Sequence, residues 1–491
     1  MAEIAKGIKL PKLKKVNANA KPILDLRGPS SNGKKKILLF SDDCRMTSGV
    51  GVMSLEMIRQ TCHKYDWIQA GGAIKHPEEG QLFNCSEDLR KTTGVEDANL
   101  IVHPISGYGT DMLVRELMQH YNPDAIIIYT DPRFWRFMFD MSHEIRSKIP
   151  ILYYNIWDDL PYPMWNEPFY ESVDCLMNIT KQTWNIVRNV RQNVPVQDWQ
   201  NTLVPHGINE EVFFPIDSKN KESYDKLTKW KDDNIRNKNT KFVVLWNNRN
   251  IRRKLPGDVV MAYKHFLDKL SEEERKDCLL IMKTAPVDNN GTDLVEVVKH
   301  NCTDAEVMFI PQRLDEHEMN ILYNAADVTI NIASNEGFGL GTAESLMAGT
   351  PIVINVTGGL QDQCGFRKED GKLLVKEDYT TKWGSNHDGR YQEHGEWVKP
   401  VWPATRSLQG SPQTPYIFDD RPKWEDAGDR IYDWYKTSEK DRVKAGQAGR
   451  DYCLLPETAL SAKNMGKAFI ESIDTTLEEF QPIKQFQLYE V

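Results

Sequence analysis

Two carboxylates, Glu336 and Glu344, stand eight positions apart in the glycine-rich stretch SNEGFGLGTAESLMAGTPIV. A carboxylate can accept two hydrogen bonds from a ribose diol, and a second one nearby can hold a sugar hydroxyl. Open α/β sheets bind ligands where their strands end, and a helix N-terminus there offers unpaired N–H groups to a phosphate. The alternative is that both carboxylates only cap a helix, where the helix dipole favours negative charge.

A basic loop follows the apolar segment KFVVLWNN and contains Arg249, Arg252, Arg253 and Lys254. When a diphosphate leaves a sugar, negative charge develops on it. Fixed cations aimed at that charge stabilise the transition state without a metal. We expect Arg249 and Lys254 to be the cations that do this. The alternative is a solvated basic loop without a ligand.

The elements that must position the two carboxylates form one strand–loop–helix–strand unit. Apolar residues alternate as in a buried strand, and a loop with three glycines then covers residues 334–341. A short helix is predicted over 342–348 and the next strand over 351–356. This arrangement places Glu336 in the loop and Glu344 in the first turn of the helix.

Strand and helix patterns alternate along most of the chain, which predicts parallel, doubly wound α/β sheets. The alternation stops in the polar bridge 216–240 and then resumes, and 491 residues are too many for one ordinary core. We therefore predict two Rossmann-like domains, one over 36–215 and one over 216–455. Residues 1–35 are predicted to form a basic flexible leader, and 456–491 a C-terminal helix and tail.

An insertion, residues 367–420, interrupts the second domain. It mixes glycine, proline, tryptophan and charged residues without a long periodicity. A structureless stretch of this length inside a domain is unusual and often functional. Because it follows the loop of the two carboxylates, we expect it to border the cleft between the domains. We expect its two histidines, His387 and His394, at the surface.

Charge is distributed unevenly along the chain. The net charge is −9, but residues 1–36 carry +8, so the remainder carries −17. A basic leader on an acidic body is either a solvated tail or an arm that contacts a polyanion such as nucleic acid or an anionic membrane.

The composition is that of a globular protein, with 40% hydrophobic and 27% charged residues. There is no apolar run of about 18 residues and no apolar N-terminal core, so we expect neither a membrane span nor a secretory signal. The eight cysteines are scattered without a CxxC pair, which favours reduced thiols and a cytoplasmic protein. No spaced set of His, Cys or carboxylate ligands predicts a metal site.

The first half of the chain has its own candidates where predicted strands end. Gly49 and Gly51, in the sequence SGVG, stand where a backbone can approach a ligand, although glycine there can also only relieve crowding. Ser48 is predicted to cap the following helix. None of these signals is specific by itself. The other candidates are Asp131, Asp158, Asp159 and His206.

The E-x7-E spacing of Glu336 and Glu344 resembles the signature of retaining glycosyltransferases of the GT-B fold, in particular glycosyltransferase family 4. The segment VPHGINEEVFFP resembles that family's interdomain stretch, and VMFIPQR and LYNAADVTI precede the signature in the expected order. The segment with Arg249 and Lys254 is similar to the family's phosphate-binding segment. The resemblance is specific over residues 241–360 and looser over the first domain.

This resemblance implies a GT-B architecture, in which two Rossmann-like domains face each other across a cleft and the second binds a nucleoside-diphosphate sugar. Glu344 would hold the nucleotide ribose, and Glu336 would face the sugar or the reacting centre. Arg249 and Lys254 would hold the diphosphate, and backbone around Phe309–Pro311 would contact the base. The resemblance extends donor binding to Gly337, Phe338, Gly339, Leu340, Phe309, Ile310, Pro311, Gly49 and Gly51.

Many members of that family carry a His-Asp pair at the end of an N-domain strand. Here Trp157 occupies the place of the histidine and is followed by Asp158 and Asp159. Asp158 or Asp159 therefore becomes the polar candidate that assists catalysis, and we select Asp158. The resemblance also implies that the anomeric configuration is retained, and that no metal or cofactor is obligatory besides the donor substrate.

We therefore predict an enzyme that moves a hexosyl or pentosyl group from a nucleoside-diphosphate sugar to a hydroxyl acceptor on the first domain. The acceptor could be a glycan or a lipid-linked sugar, although the acidic net charge disfavours a membrane acceptor. An alternative acceptor is a hydroxymethylated base in DNA, as in phage DNA-modifying transferases, because cations track phosphates and aromatic residues stack on bases. Alternatives of another class are a non-catalytic nucleotide-sugar-binding protein and an unrelated two-domain enzyme, such as an epimerase or a phosphorylase.

Overall fold

The computed structural model describes residues 33–193, 196–235, 237 and 239–484. The predicted leader lies outside the described residues except for its last three positions, and the end of the predicted tail also lies outside them. The described chain forms two parallel sheets with helices on both faces. The predicted α/β, doubly wound class is therefore confirmed.

The first sheet has the strand order β3-β4-β2-β1-β5-β6-β7-β8 and is parallel except for the pair β3–β4. Its central strands are buried on both faces, which explains why they are continuous apolar runs in the sequence. The strands are β1 Lys35–Asp42, β2 Tyr65–Ala73, β3 Phe83–Asn84, β4 Leu100–Ser106, β5 Ala125–Tyr129, β6 Ile151–Asn155, β7 Cys175–Asn178 and β8 Asn201–Leu203.

The helices of this half connect consecutive strands. Ser48 caps the first of them as predicted, because its Oγ accepts a hydrogen bond from the backbone N–H of Gly51 at 3.0 Å. The helices are α1 Gly49–Thr61, α2 Ser86–Thr93, α3 Asp111–Tyr121, α4 Arg136–Asp140, α5 Ser142–Arg146, α6 Glu167–Glu171 and α7 Lys181–Val190.

The second sheet is parallel throughout, in the order β11-β10-β9-β12-β13-β14. Its strands are β9 Phe242–Asn247, β10 Cys278–Lys283, β11 Val307–Phe309, β12 Val328–Asn331, β13 Ile352–Asn355 and β14 Val398–Val401. Its helices are α8 Lys221–Asn234, α9 Pro256–Asp268, α10 Glu272–Lys276, α11 Leu294–Asn301, α12 Glu316–Ala325, α13 Leu340–Met347, α14 Trp424–Lys436, α15 Glu439–Leu454 and α16 Ala462–Glu479.

Each sheet reverses its winding direction once. In the first sheet the chain runs outward from β1 and then returns to the other side of β1 at β5. In the second sheet the same reversal separates β9 from β12. Ligands bind to doubly wound sheets at these switch points, because neighbouring loops diverge there and leave a crevice.

Two segments contain regular structure that was not predicted from the sequence. The polar bridge 216–240 contains helix α8, whose single buried position is Leu227, so its sequence has almost no apolar face to detect. The insertion 367–420 supplies edge strand β14 and then an antiparallel hairpin of β15 Pro403–Ser411 and β16 Thr414–Pro422. Strand β14 was missed because it contains Pro400, and proline usually argues against a strand. It is tolerated here because β14 lies at the edge of the sheet.

The expectation that His387 lies at the surface is wrong, because its side chain is buried. Phe366, Trp383 and Trp402 surround it, with ring centroids 4.5, 5.4 and 4.9 Å away. These aromatic residues are widely spaced in the sequence and meet only after folding. His394 is half-buried.

The last helix, α16, returns to the first domain and packs on α1. Tyr65 Oη donates a hydrogen bond to Asp474 at 2.7 Å, and Ile208 pairs through its backbone with Leu460 and Ala462. The C-terminal segment therefore fastens the two domains together. None of the helices in the described segments is long and apolar enough to cross a membrane. All eight cysteines are free thiols, as predicted, and seven of them are buried.

Gly446 and Gly257 provide a matched test of the packing around α13. A Cβ at Gly446 would overlap the carbonyl oxygen of Gly349 where α15 packs behind α13, whereas a Cβ at Gly257 in α9 meets nothing within 4 Å. We expect Gly446→Ala to lower the free energy of unfolding by about 1–3 kcal/mol. Gly257→Ala should leave it unchanged or raise it by up to about 1 kcal/mol. Urea denaturation measures both, and equal effects would contradict the described packing.

Candidate functional site

A buried ion pair with an arginine beside it lies at the switch point of the second sheet. The ammonium of Lys254, in a 3₁₀ turn after β9, contacts the carboxylate of Glu336, in the loop after β12. Arg253 Nη1 is 3.7 Å from the same carboxylate oxygen. The side chains of Lys254 and Glu336 are only 9% and 10% exposed. Because β9 and β12 are adjacent strands, their following loops bring these residues together.

Burial and charge pairing act in opposite directions on this group. Burial by itself would raise the pKa of Glu336, but Lys254 and Arg253 outweigh it and hold the pKa below its ordinary value. Burial lowers the pKa of Lys254 to about 8, despite the attraction of Glu336. At neutral pH the carboxylate is therefore ionised and the ammonium is still mostly charged.

Asp158 approaches the same group from the first domain. It lies in the loop after β6, and a Cβ at Gly337 would be only 3.9 Å from its Cγ. Burial raises the pKa of Asp158 to about 6, since Arg253 offsets only part of that effect and Glu336 adds to it. Gln182 Nε2 donates to the backbone oxygen of Asp158 at 2.6 Å and holds the loop in place. Charged residues of both domains therefore meet across the cleft.

Glu344 belongs to a separate polar chain in the second domain. Tyr323 Oη donates to its carboxylate at 2.6 Å and accepts from Asn247 Nδ2 at 2.7 Å. Burial raises the pKa of Glu344 to about 7. The prediction that Glu344 lies in the first turn is wrong, because α13 already begins at Leu340, after Gly339 with a φ of +88°. In the second turn the helix dipole is too weak to explain this carboxylate by capping.

Two cavities adjoin each other, and Glu344 and Asn247 line both of them. The first, of about 470 Å³, is the one that Lys254, Glu336 and Asp158 reach. The second, of about 690 Å³, is lined by residues of both domains. Its polar lining includes Arg45, Thr47, Lys283, Arg313 and His317. A ligand with two polar parts can therefore extend from one cavity into the other.

Most of the predicted donor-binding loop faces the first cavity, which is lined by Gly337, Phe338, Gly339 and Leu340. Gly49 of the first domain also lines it, and a Cβ there would be 3.2 Å from Leu340 Cδ1. The two glycine-rich loops predicted from sequence thus meet across the cleft.

Three other predicted binding residues lie outside these cavities. Gly51 is buried in α1, where a Cβ would be 2.7 Å from the carbonyl oxygen of Asp43, so packing requires this glycine. Ile310 is buried and donates its N–H to Met282 at 3.0 Å, and Phe309 packs against the domain core. Of the predicted base-binding segment, Pro311 lines the second cavity.

The two cations expected from the sequence, Arg249 and Lys254, both line the first cavity, and Arg253 lines it with them. The Arg249 side chain is 65% exposed at the rim of the first cavity, and its Nε donates to Asp288 at 3.1 Å. The Arg253 side chain is 44% exposed, and its Nη1 donates to the backbone oxygen of Asn335 at 3.0 Å, beside Glu336. The spacing of the sequence does not show that Arg253 is the arginine that lies beside Glu336.

His206 lines the first cavity as a neutral side chain. It lies between Tyr154 Oη, 2.6 Å from its Nδ1, and Tyr129 Oη, 3.3 Å from its Nε2, and its ring contacts Phe338. Burial lowers the pKa of His206 to about 3. It can therefore shape the cavity and accept or donate a hydrogen bond, but it adds no charge at neutral pH.

The hairpin of the insertion contacts the loop that carries Asp158. The backbone N–H of Phe418 donates to the carbonyl oxygen of Leu160 at 2.6 Å, and Tyr416 Oη donates to that of Tyr162 at 3.1 Å. The insertion thus borders the cleft, and its hairpin connects the second domain to the loop of the first domain that carries Asp158.

Comparison with known proteins places this geometry in a wider context. Residues 228–379 match the family described as "Glycosyl transferases group 1". A D-inositol 3-phosphate glycosyltransferase of Xylanimonas cellulosilytica is 29% identical over 119 residues, which are 24% of this chain and 27% of that relative. The aligned region therefore spans about a quarter of the length of the curated relative.

Solved structures resemble nearly the whole chain. HepE of Anabaena, in complex with UDP and glucose, has a TM-score of 0.60 at 10% identity, covering 90% of this chain and 100% of that one. Sucrose-phosphate synthase of Thermosynechococcus elongatus has a TM-score of 0.60 at 14% identity, covering 91% of this chain and 100% of that one. These similarities establish the fold, which is the expected GT-B architecture.

Replacing Lys254 tests the buried ion pair. Lys254→Met leaves Glu336 buried without its closest cation, and we expect the free energy of unfolding to fall by about 3 kcal/mol at pH 8. In this variant the pKa of Glu336 should be higher in the folded protein than in the unfolded chain. Burying the carboxylate therefore lowers the free energy of unfolding little at low pH, where it is protonated, and more as the pH increases and it ionises. The loss at pH 5 should therefore be smaller than at pH 8, as measured by urea denaturation. Adding Glu336→Gln should recover much of the stability, and a penalty that is independent of pH would contradict the pairing.

Proposed function

We propose that this protein is a glycosyltransferase that uses a nucleoside-diphosphate sugar and retains the anomeric configuration. The observation that carries the proposal is the buried ion pair of Glu336 and Lys254, with Arg253 beside it, which meets Asp158 of the other domain across the cleft. The family match supports the proposal because residues 228–379 contain both signature glutamates and the basic loop. The UDP and glucose in the HepE structure support a nucleotide sugar as the donor.

The two cavities suit the two ends of such a donor. We assign the nucleoside to the second cavity and the sugar to the first, with the diphosphate between them. Glu344 lies at the junction, where an ionised carboxylate can accept hydrogen bonds from the ribose hydroxyls. Its partner Tyr323 fixes the orientation of the carboxylate.

The cations of the basic loop supply the main electrostatic contribution in this proposal. When the bond between the sugar C1 and the diphosphate oxygen breaks, negative charge grows on the leaving group. Lys254 and Arg253 are already oriented by protein contacts, so they can stabilise that charge without reorganising. Arg249, at the rim, can contact the outer phosphate oxygens. We propose that these cations make an added metal unnecessary.

The carboxylates have different assigned roles. Glu336 holds the Lys254 ammonium in position and presents its other oxygen to the donor sugar. Asp158 comes from the other domain, and we propose that it orients the acceptor hydroxyl. A protein that only bound nucleotide sugars would not need a second domain to contribute a carboxylate at this place.

A panel of nucleotide sugars tests the proposal through release of the nucleoside diphosphate, with EDTA present throughout. We expect one donor to be consumed, and Glu336→Gln to lower kcat by about 10²-fold, because the lysine loses its oriented partner. Glu273→Gln, at an exposed carboxylate of α10, serves as the control for a charge change. NMR of the product should show the anomeric configuration of the donor. Binding of a donor without any turnover would identify the non-catalytic alternative.

The pH dependence of donor affinity gives a second test. Glu344, with a pKa of about 7, becomes protonated below that value and then accepts fewer hydrogen bonds from ribose. Lys254, with a pKa of about 8, loses its charge above that value. Donor affinity should therefore be highest between pH 7 and 8 and fall by up to about tenfold per pH unit on either side.

Calorimetry with an intact nucleotide sugar measures this profile, because its diphosphate diester does not ionise in this range. Glu344→Gln should flatten the acidic side, and Lys254→Arg should flatten the alkaline side. A profile that both variants leave unchanged would contradict the assigned roles.

A further inference from the structure

We propose that the crevice at the β1–β5 switch point of the first domain is the acceptor site, and that it takes a neutral, hydroxyl-rich acceptor, that is, a carbohydrate without phosphate. Asp42 and the stacked rings of Tyr108 and Phe134 are its recognition elements. The inference rests on the proposed function and specifies the acceptor class that the proposed function leaves open.

The carboxylate of Asp42, at the end of β1, is close to the donor cavity. Its Oδ2 accepts a hydrogen bond from Ser48 Oγ at 2.5 Å, and Ser48 lines the first cavity. Its Oδ1 accepts from Tyr108 Oη at 3.2 Å. In the segments that the structure describes, no Lys, Arg or His forms an ion pair with Asp42. The carboxylate therefore keeps capacity to accept hydrogen bonds from the hydroxyls of a ligand.

An aromatic platform stands beside this carboxylate. The ring of Phe134, in the loop after β5, stacks on Tyr108 with a centroid distance of 4.3 Å and an angle of 14°. Phe134 is nevertheless 43% exposed, and buried Trp135 supports Tyr108 edge-on at 5.2 Å. The face of an aromatic ring is negative, so it attracts the weakly positive C–H bonds on the face of a sugar ring.

The backbone is built to hold Tyr108 in this place. Gly107 and Gly109 on either side of it have φ values of +72° and +106°, which other residues rarely adopt. Tyr108 also packs against the backbone of β2, where a Cβ at Gly72 would be 3.3 Å from its ring. The ends of β1, β4 and β5 therefore bring Asp42, Tyr108 and Phe134 together, at the end of the sheet where doubly wound sheets bind ligands.

The charges around the crevice disfavour a phosphate-bearing acceptor. Two arginines in the loops after β1 and β5 are already paired: Arg45 lies 2.6 Å from Asp43, and Arg133 lies 2.6 Å from Asp131. Asp42 forms no such pair and would repel a phosphate group. A carboxylate beside an aromatic face instead matches an acceptor with neutral hydroxyls on one side and C–H bonds on the other.

In the transfer itself, the oxygen of an acceptor hydroxyl forms the new bond to C1 of the donor sugar. The bond between C1 and the diphosphate oxygen breaks, and its electron pair leaves with the diphosphate. The hydroxyl proton passes to the diphosphate oxygen. Asp42 binds other hydroxyls of the acceptor and takes no part in this proton transfer.

The test offers three classes of acceptor to the full-length protein, together with the donor that the panel of nucleotide sugars identifies. They are unphosphorylated methyl glycosides and disaccharides, sugar monophosphates such as fructose 6-phosphate, and duplex DNA that contains 5-hydroxymethylcytosine. We expect transfer to an unphosphorylated saccharide at a kcat/KM at least tenfold above that for the other classes. Asp42→Asn and Phe134→Leu should each raise the KM for that saccharide about tenfold with a smaller change in kcat, whereas Phe134→Trp should keep a KM near wild type.

Two further measurements complete the test. Saturation-transfer-difference NMR should detect contacts of the saccharide C–H groups with the wild-type protein and lose them in Phe134→Leu. Val443→Ser, at an apolar side chain of α15 that is 64% exposed, is the control for loss of surface apolarity. Thermal melts of all variants identify a folding defect, which Phe134→Leu should not cause because the ring is partly exposed.

The outcomes separate the inference from the proposed function. Preferred transfer to a sugar phosphate or to DNA would overturn the inference, and so would an unchanged saccharide KM in both Asp42→Asn and Phe134→Leu. If the donor is bound and slowly hydrolysed but no unphosphorylated saccharide accepts the sugar, the inference also fails while the proposed donor chemistry stands. If no nucleotide sugar binds at all, the proposed function itself fails.

Discussion

The architecture of the site depends on one buried ion pair, Glu336 with Lys254. Removing two charges from water costs several kcal/mol per ion, and their attraction offsets this cost only when further groups complete the pairing. Arg253 and the polar loop around the pair provide that completion. A buried pair of this kind is a weak source of stability, so we infer that its purpose is chemical: it keeps an oriented cation beside a cavity.

The position of this pair relative to the first domain is set by contacts far from it. The backbone N–H of Lys181 and its side chain both contact Asp362 across the cleft. The hairpin of the insertion binds the loop of Asp158, and α16, which follows the second domain in the chain, packs on α1 of the first domain. Because the walls of the cleft belong to different domains, these contacts determine the distances on which any shared chemistry depends. The insertion is therefore a structural part of the cleft, although its sequence lacks periodicity.

Sequence reasoning was most successful where one local signal decides the outcome. Strands such as 125–129 and 242–247 are continuous apolar runs because helices cover both faces of the sheet. Helix α12 begins at Glu316 because Asp315 and Glu318 form a capping box, a signal that is local in the sequence. The same reasoning failed for β14 and α8. An edge strand tolerates proline, and a solvated helix with one buried residue has no apolar stripe.

The sequence by itself determined that two glutamates and a basic loop stand at strand ends of a doubly wound domain, because residue type and local periodicity specify both facts. Tertiary structure alone decided that Arg253 rather than Arg249 lies beside Glu336, that Tyr323 holds Glu344, and that Asp158 faces the pair. Only folding could also place Tyr108 against Phe134 beside the end of β1. The physical reason is the same in each case. These contacts join segments distant in the chain, so they depend on the three-dimensional packing of loops, which no local pattern encodes.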